Sequence, residues 1–367
     1  MKLPTGIALR ASALVLGTTA AMAASAQVTY YNNNASSPYY RNFSAGPDGS
    51  IYFGDFNQTK VFTGGGTSLI DFGVWSISSD GTRVGGYRKS DGTYAAGFLD
   101  AFGSLNSVDF GPNSAALLSK EGDYSIFGTT NSSGRLYSGT TDLGSFSDIK
   151  GLNASGQLLY GNNLRLGDGS VRDLSIASSS STLGGGAQDL NNLGKVLLTT
   201  TDRAPGGIGY PYAENFTFNF QTFDAATGDL LNLPAMPFVY SDSLVFDSMR
   251  KSVVASINDA GDVVAAIRTN DTGEVDSSVI WHYSQNTGWS NLTSLYAIPT
   301  FDYLTGIDIT NEGLIYGTYT GPYNPWNFTT VTKGFTMNAP VPEPGTMLLL
   351  AAGAGGLIAA RKRKNKV

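Results

Sequence analysis

The sequence predicts an all-β fold, and within that class a β-propeller-like repeat domain of about seven blades. Glycine accounts for 46 of the 367 residues and aromatic residues for 11%, while charged residues make up only 14%. This composition is typical of many short strands joined by tight turns. A short turn motif also recurs along the chain. Four of the six intervals between its copies are 32 to 41 residues, close to the ~40-residue period of propeller blades.

The chain begins with a segment, residues 1–26, that has the features of a signal peptide. A positively charged start and an apolar stretch over 11–23 precede Ala24 and Ala26, the small residues that a signal peptidase requires. We therefore predict cleavage after Ala26, so that the mature chain begins at Gln27. The alternative, a buried N-terminal helix of the domain, is disfavoured because the segment has no polar face.

The predicted β-repeat domain spans residues 27–339. In each copy of its motif an apolar residue, a small polar residue, two variable residues and a glycine precede an apolar run, as in Ile257–Gly261 before Val263. The polar side chain opens a tight turn, and the glycine takes a left-handed conformation that a Cβ would disfavour. The apolar run indicates a strand covered on both faces. The repeat-turn glycines are Gly49, Gly81, Gly122, Gly156, Gly194, Gly261 and Gly313.

Two intervals between the repeat-turn glycines, of 67 and 52 residues, are longer than a blade. They leave room for a degenerate blade or for insertions near 203–250, where residues 223–230 predict a strand-turn-strand. An irregular β-sandwich or solenoid, whose hairpins merely share turn chemistry, stays open as an alternative to the propeller.

The Asn-x-x-Gly-x-Val turns resemble the HAF-type repeats of extracellular bacterial proteins. Short aromatic strands downstream of their turns, such as Gly97–Leu99, Ile280–Trp281 and Gly334–Thr336, add to the likeness. The resemblance spans most of residues 45–337, although several copies lack the aromatic strand.

The last segment, residues 340–367, combines three unlike elements in a fixed order. Pro342, Glu343 and Pro344 come first, an apolar stretch from Met347 follows, and a basic cluster ends the segment. The cluster consists of Arg361, Lys362, Arg363 and Lys364. The apolar stretch is short for a permanent span, since a bilayer core needs roughly 17–25 helical residues. The basic cluster would stay on the cytoplasmic side, so we predict a C-terminal hydrophobic helix that inserts transiently.

This order of elements resembles the PEP-CTERM sorting signal. The resemblance implies that an exosortase, a membrane cysteine peptidase, recognises the tail and removes it near Pro342–Pro344. It also implies a Gram-negative bacterium that makes exopolysaccharide. An ordinary C-terminal anchor is the alternative, but the two prolines block helix on the outer side and favour the extended conformation that a peptidase cleft binds.

The predicted mature body is acidic. The two end segments hold seven of the 23 basic residues and one of the 29 acidic residues, which leaves the body with a net charge of −12. This charge argues against nucleic acid or anionic lipid as a partner. The chain has no cysteine, so disulfides, thiol catalysis and cysteine-ligated metals are excluded.

The sequence predicts no catalytic, cofactor-binding or metal site. His282 is the single histidine and no Gly-x-Ser-x-Gly elbow is present, so His282 is interpreted as a structural or surface residue rather than a base. Zinc or iron sites that need two histidines are excluded. A pair of carboxylates for glycoside hydrolysis stays open among the many acids, and so does a sugar-stacking surface of tyrosines and tryptophans.

We therefore expect an exported protein of the cell envelope, outer surface or exopolysaccharide matrix, with a non-enzymatic binding or structural role. Its processing partners would be a signal peptidase and an exosortase-like peptidase, and its ligand a polysaccharide or a surface protein. The alternative is a secreted polysaccharide-active enzyme on the same scaffold. A pair of buried acids about 5–10 Å apart in a central pocket would favour the enzyme, and an apolar, filled axis would favour the binding protein.

Overall fold

The computed structural model of this chain describes residues 28–32, 42–54, 58–100, 102–108, 116–130, 133–174, 186–205, 214–237, 239–242, 253–271, 275–296, 298, 303–320 and 332–340. The predicted cleavage residues Ala24 and Ala26, the sorting motif Pro342–Pro344, the basic cluster Arg361–Lys364 and the C-terminal apolar stretch lie outside these ranges. The division into segments 1–26, 27–339 and 340–367 stays a prediction.

The described residues form 29 strands and one short helix. The strands of the first half are β1 (Thr29–Asn32), β2 (Asn42–Ala45), β3 (Ile51–Gly54), β4 (Thr59–Thr63), β5 (Gly66–Ile70), β6 (Gly73–Ile77), β7 (Arg83–Arg88), β8 (Tyr94–Leu99), β9 (Leu105–Val108), β10 (Ala116–Glu121), β11 (Tyr124–Thr130), β12 (Ser133–Ser138), β13 (Thr141–Ser147), β14 (Ile149–Leu152), β15 (Leu158–Tyr160), β16 (Asn163–Arg165) and β17 (Val171–Asp173).

The second half has longer hairpins and contains the helix. Its elements are β18 (Gly186–Leu190), β19 (Lys195–Pro205), β20 (Glu214–Asp224), β21 (Leu230–Asn232), β22 (Val239–Asp242), β23 (Val253–Ile257), β24 (Val263–Asp271), β25 (Val275–Ser284), β26 (Gly288–Asn291), α1 (Leu292–Leu295), β27 (Tyr303–Ile309), β28 (Leu314–Thr320) and β29 (Thr332–Asn338).

These strands form seven antiparallel sheets, which are the blades of a β-propeller. Blades 1 to 4 each contain four consecutive strands from β2 onward, blade 5 contains β18–β22 and blade 6 contains β23–β26. The first strands of successive blades contact one another from β2 to β27, so they surround the propeller axis. The structure confirms the predicted all-β class and the propeller, rather than the sandwich or the solenoid.

Blade 7 joins the two ends of the described chain. It contains β27, β28 and β29, and β1 from the start of the chain adds the fourth strand beside β29. In this antiparallel pairing Thr29 lies opposite Thr336, and Asn32 lies opposite Lys333. One blade therefore closes the ring with strands from both ends, which the repeat pattern did not reveal.

The core lies between neighbouring blades. On β24, Val263, Ala265 and Ile267 pack with blade 5 residues such as Leu197 and Phe220. The alternate residues Val264 and Ala266 pack with blade 7 residues such as Ile315 and Phe335. Both faces of this strand are thus buried, which explains why the residues after a repeat-turn glycine are apolar in succession.

The two long intervals in the repeat are insertions and not an extra blade. Blade 5 has an extended β19–β20 hairpin, in which Lys195 pairs with Asp224 and Pro205 with Glu214, and β22 adds a further strand beside β20. Blade 6 has a similarly extended β24–β25 hairpin. Within the described ranges, no helix is long and apolar enough to cross a bilayer.

Candidate functional site

The repeat-turn glycines all have positive φ. The angles are 76° at Gly49, 84° at Gly81, 56° at Gly122, 72° at Gly156, 80° at Gly194, 83° at Gly261 and 82° at Gly313. Each lies between the first and second strand of a blade. In six copies the N–H of the glycine donates to the carbonyl of the residue three positions earlier, and the N–H of that residue donates to the carbonyl four positions on.

The copy around Gly122 has a different turn. Glu121 pairs directly with Tyr124, and Ser119 pairs with Ile126 inside the β10–β11 ladder, so the prediction that Ser119 opens the turn was wrong. The hairpin is two residues long because Glu121 continues the strand. The Glu121 carboxylate accepts two hydrogen bonds from Ser79 of blade 2. One comes from the backbone N–H, at 3.0 Å, and the other from the hydroxyl, at 2.8 Å. Burial raises the pKa of Glu121.

Three turn asparagines connect blades 4 to 7. The Asn153 amide donates to the Asn191 carbonyl at 3.2 Å, the Asn191 amide to the Asn258 carbonyl at 2.9 Å, and the Asn258 amide to the Thr310 carbonyl at 3.2 Å. Their side-chain oxygens accept from backbone N–H groups four residues on in their own turns. The turn residues therefore hold the blades together and are not placed to bind a ligand.

Polar side chains lie two positions before the turn residue in several blades. They are Ser44, Ser76, Asp189, Ser256 and Asp308. Each belongs to the first strand of its blade, so this position lies at the axis. The axis is thus polar and contains acids, in contrast to the apolar, filled axis that would have been the simplest sign of a binding protein.

Three of the axial side chains and a tyrosine of β28 form one hydrogen-bonded chain, which we call the axial acid network: Asp189, Ser256, Asp308 and Tyr316. The Ser256 hydroxyl lies 2.8 Å from Asp189 Oδ2 and 2.5 Å from Asp308 Oδ1. The Tyr316 hydroxyl donates to Asp308 Oδ2 at 2.5 Å. Backbone N–H groups complete the network, from Leu190 and Ile257 to Asp189 and from Ile309 to Asp308.

If both contacts of Ser256 are hydrogen bonds, one of the two carboxyl groups carries a proton. A serine hydroxyl has one proton to donate, so Ser256 can donate to Asp189 or to Asp308 but not to both. The contact between Ser256 and the second carboxyl group is a hydrogen bond only when that carboxyl group is protonated and donates to the Ser256 oxygen. Burial, together with the charge of Asp308, raises the pKa of Asp189 to about 6, so Asp189 holds a proton below about pH 6.

A pocket of about 360 Å³ opens beside the network at the axis. The strands β2, β6, β27 and β28 line it, and its functional side chains are those of Trp75, Asp308 and Tyr316. Trp75 is the extra residue of a β-bulge, because the β6–β7 register shifts between Val74 and Ser76. A bulge turns a side chain away from the regular alternation of its strand, and Trp75 is one of the residues that line the pocket.

His282 lies away from this pocket, in β25, where it pairs with Val264 and Ser290. It is buried, and neither ring nitrogen has a hydrogen-bond partner among the described residues. Burial lowers its pKa, which favours the neutral ring. The structural interpretation of His282 agrees with this position, whereas the surface interpretation was wrong.

The described residues contain no group of three or more acidic or histidine side chains that could hold a metal ion. Sequence reasoning did not identify Trp75, Asp189, Ser256, Asp308 or Tyr316. The repeat did contain a signal for three of them, since a polar residue two positions before the turn residue recurs at 189, 256 and 308. The positions of Trp75 and Tyr316 depend on a bulge and on a neighbouring strand, which the motif does not encode.

The C-terminal segment matches a known family. Residues 340–364 match the family described as the PEP-CTERM protein-sorting motif. This motif implies export to the cell surface in bacteria and processing by an exosortase. The match begins directly after Ala339, whose N–H donates to the Gly313 carbonyl at 2.7 Å, so the sorting motif starts where the propeller ends. No curated protein matches the chain.

Several solved structures are similar in fold. A streptogramin B lyase structure is 11% identical, covers 85% of this chain and 97% of its own, and has a TM-score of 0.48. A mitotic checkpoint complex structure is 10% identical, with coverages of 86% and 94% and a TM-score of 0.40. The structure of AofleA from Arthrobotrys oligospora is 11% identical, with coverages of 86% and 94% and a TM-score of 0.30. At these identities and TM-scores they carry no functional argument.

Proposed function

We propose that this chain is a non-enzymatic glycan-binding protein of the outer surface or exopolysaccharide matrix of a Gram-negative bacterium. The sorting motif at residues 340–364 accounts for delivery to the surface, and the predicted signal peptide accounts for export. The observation that carries the binding role is the axial pocket, which combines the indole of Trp75 with the carboxyl group of Asp308 and the phenol of Tyr316.

These three side chains match the two surfaces of a sugar ring. A pyranose has apolar C–H faces, which pack against an aromatic ring, and hydroxyl edges, which bond to polar groups. Asp308 accepts hydrogen bonds, and a bond between a hydroxyl group and a carboxylate is stronger than one between neutral groups. The pocket volume of about 360 Å³ lies within the range of small-ligand sites, roughly 300–1,000 Å³.

Two further observations favour a polysaccharide over other partners at the cell surface. The body has a net charge of −12, which disfavours nucleic acid and anionic lipid. The resemblance of the repeats to HAF-type repeats supports an extracellular role for the propeller. A polysaccharide matrix is the polymer that such a surface protein would meet first.

The test is binding of the purified secreted protein to a glycan array, followed by calorimetric titration with the glycans that bind. Trp75→Ala should weaken binding at least tenfold, or about 1.4 kcal/mol, because it removes the stacking surface. Phe102→Ala is the matched control, since Phe102 is 96% exposed in the β8–β9 turn and does not line the pocket. Equal affinities of wild type and Trp75→Ala, or no glycan binding at all, would refute the proposal.

The axial acid network favours a second candidate, a polysaccharide-active enzyme. An acid whose pKa is raised, beside a second carboxyl group, is the arrangement of a glycosidase, and Asp189 has a pKa of about 6. Each carboxyl oxygen of the pair accepts a hydrogen bond within the protein, so this geometry alone does not decide between the two roles. A reducing-sugar assay decides: release of sugar by wild type, lost in Asp189→Asn and Asp308→Asn, would establish the enzyme.

A further inference from the structure

The charge in the described lining of the axial pocket is negative only. Asp308 is the one charged side chain among the described residues that line it, and the remainder of the lining is aromatic, aliphatic, hydroxyl or glycine. The described lining contains no lysine or arginine. An anionic sugar, such as a uronic acid, would therefore meet a carboxyl group and no counter-charge.

No basic side chain within the described ranges neutralises the negative charge of the axial acid network. The hydrogen bonds to Asp189 and Asp308 come from hydroxyl groups and backbone N–H groups, and neither acid forms a salt bridge within the described ranges. The amine of Lys150, on the neighbouring strand β14, donates to the Ala187 carbonyl at 2.7 Å instead. Even when Asp189 and Asp308 share one proton, the network carries one negative charge.

Asp189 and Asp308 are partly buried, and a partly buried charge without a counter-ion loses solvation that no ion pair replaces. A ligand that brings a positive charge next to Asp308 would supply the missing partner. The described residues offer no set of three ligands for a metal ion. Trp75 lines the pocket, and a tryptophan ring attracts an organic ammonium group as well as a sugar face. The pocket therefore suits an organic cation better than a bare metal ion.

We propose that the axial pocket selects a positively charged amino-sugar unit of a polysaccharide, with its ammonium group at Asp308 and its ring against Trp75. This inference rests on the proposed glycan-binding function and names the chemical class of the glycan. N-acetylated sugars lack the charge, and uronic acids carry the opposite one. The network supports the selection by holding Asp308 between Ser256 and Tyr316, at 2.5 Å from each hydroxyl oxygen.

The experiment is calorimetric titration of the full secreted protein with three oligosaccharides of equal length. They are a glucosamine oligomer, an N-acetylglucosamine oligomer and a glucuronic acid oligomer, at a pH where the amine is protonated. The wild type should bind the glucosamine oligomer at least tenfold more tightly than the other two. This preference should decrease as salt is added, because salt screens the charge interaction.

Two variants test whether the preference for the amine oligomer arises in the axial pocket. Asp308→Asn removes the charge and should abolish the difference between the amine and the N-acetylated oligomer. Ser44→Lys places an ammonium group in the pocket, since Ser44 lines it, and leaves all four network residues in place. It should weaken binding of the amine oligomer at least tenfold and improve binding of the uronic acid oligomer. Asp123→Asn, in the exposed β10–β11 turn, makes the same charge change as Asp308→Asn elsewhere and should leave the preference intact.

The outcomes separate this inference from the function it rests on. If wild type binds the N-acetylated oligomer or the uronic acid oligomer as tightly as the amine, the inference is overturned and the glycan-binding function stands. The same holds if the preference survives in Ser44→Lys, which decides the matter even if Asp308→Asn fails to fold. If no glycan binds to a protein that unfolds cooperatively on heating, both are overturned.

Discussion

Asp189 shows how one buried residue can make the stability of the propeller depend on pH. Its carboxyl group lies at the axis, bonded to Ser256 and to two backbone N–H groups. Those bonds favour the charged form, yet burial and the nearby Asp308 outweigh them and raise its pKa from 3.8 to about 6. Between these two values the folded chain holds a proton that the unfolded chain has released.

The sign of the effect follows from this difference in bound protons. Stability falls with rising pH wherever the folded state binds more protons than the unfolded state. The contribution of Asp189 is therefore fully present below about pH 4 and is lost as the pH rises through about 6. The expected loss is on the order of 2–3 kcal/mol, since one pKa unit corresponds to about 1.4 kcal/mol.

The prediction is tested by thermal melts of wild type and Asp189→Asn from pH 4 to pH 7. An asparagine cannot titrate, so the melting temperature of the variant should fall less over this range than that of wild type. Acids outside the axial acid network contribute equally to both proteins and cancel in the comparison. Parallel pH profiles would contradict the assignment of the shared proton to Asp189.

The sequence predicted the positions of individual functional side chains least well. The repeat predicted which glycines have positive φ, because the turn itself requires it. It did not predict Trp75, whose direction depends on an extra residue in one strand, or the proton shared between blades 5 and 7. Such features depend on contacts between strands far apart in sequence, as between Asp189 and Ser256, and a local motif does not specify them.

At the scale of the element, the turns between first and second strands are alike in backbone but not in surroundings. A Cβ on Gly156 would lie 2.2 Å from the ring of Tyr124 in the preceding blade. A Cβ on Gly261 would meet nothing within 4 Å. The two φ angles are similar, 72° and 83°, so this pair separates backbone strain from crowding between blades.

We predict that Gly261→Ala costs about 1 kcal/mol, the cost of a left-handed conformation for a residue with a Cβ. Gly156→Ala should cost a further 1–3 kcal/mol or so, because the Tyr124 ring must move to admit the methyl group. The measurement is the thermal midpoint of each purified variant against wild type. Equal shifts in the two variants would show that the blades do not pack tightly at this turn.

The element scale is where the sequence was most informative. Consecutive apolar residues predicted strands buried on both faces, and β24 has them. The turn at Thr227–Gly228 between β20 and β21 was predicted from 223–230 and is present. The turn at Gly122 was predicted wrongly because the strand continues to Glu121, so Ser119 pairs within the ladder instead of opening the turn. The glycine spacing alone does not indicate that change.

At the scale of the whole molecule, the first and last strands of the described chain pair in blade 7. Because β1 and β29 are antiparallel, with Thr29 opposite Thr336, the chain enters the propeller beside the point at which it leaves. The predicted cleavage site after Ala26 and the sorting motif from residue 340 therefore flank the same blade. Only Pro340 and Val341 separate the anchored backbone of Ala339 from Pro342, so processing would occur close to the folded sheet.

The claim on which the account depends is that the propeller reaches the surface and loses its tail. The two prolines of Pro342–Pro344 predict an extended segment for a peptidase to bind. The basic cluster should resist transfer across the bilayer, at a cost of about 2.5–3.5 kcal/mol per charge. Replacing Pro342, Glu343 and Pro344 with alanine should therefore leave a membrane-held precursor. Arg361→Lys with Arg363→Lys keeps the charge and serves as the control.

Intact-mass spectrometry of membrane and extracellular fractions from producing cells tests this claim most directly. We predict that the wild-type protein is shortened near Pro342–Pro344 and that the control variant is shortened in the same way. The alanine variant should retain Arg361–Val367 and stay in the membrane fraction. A wild-type protein found outside the membrane with its tail intact, or an alanine variant shortened to the same extent as wild type, would contradict it.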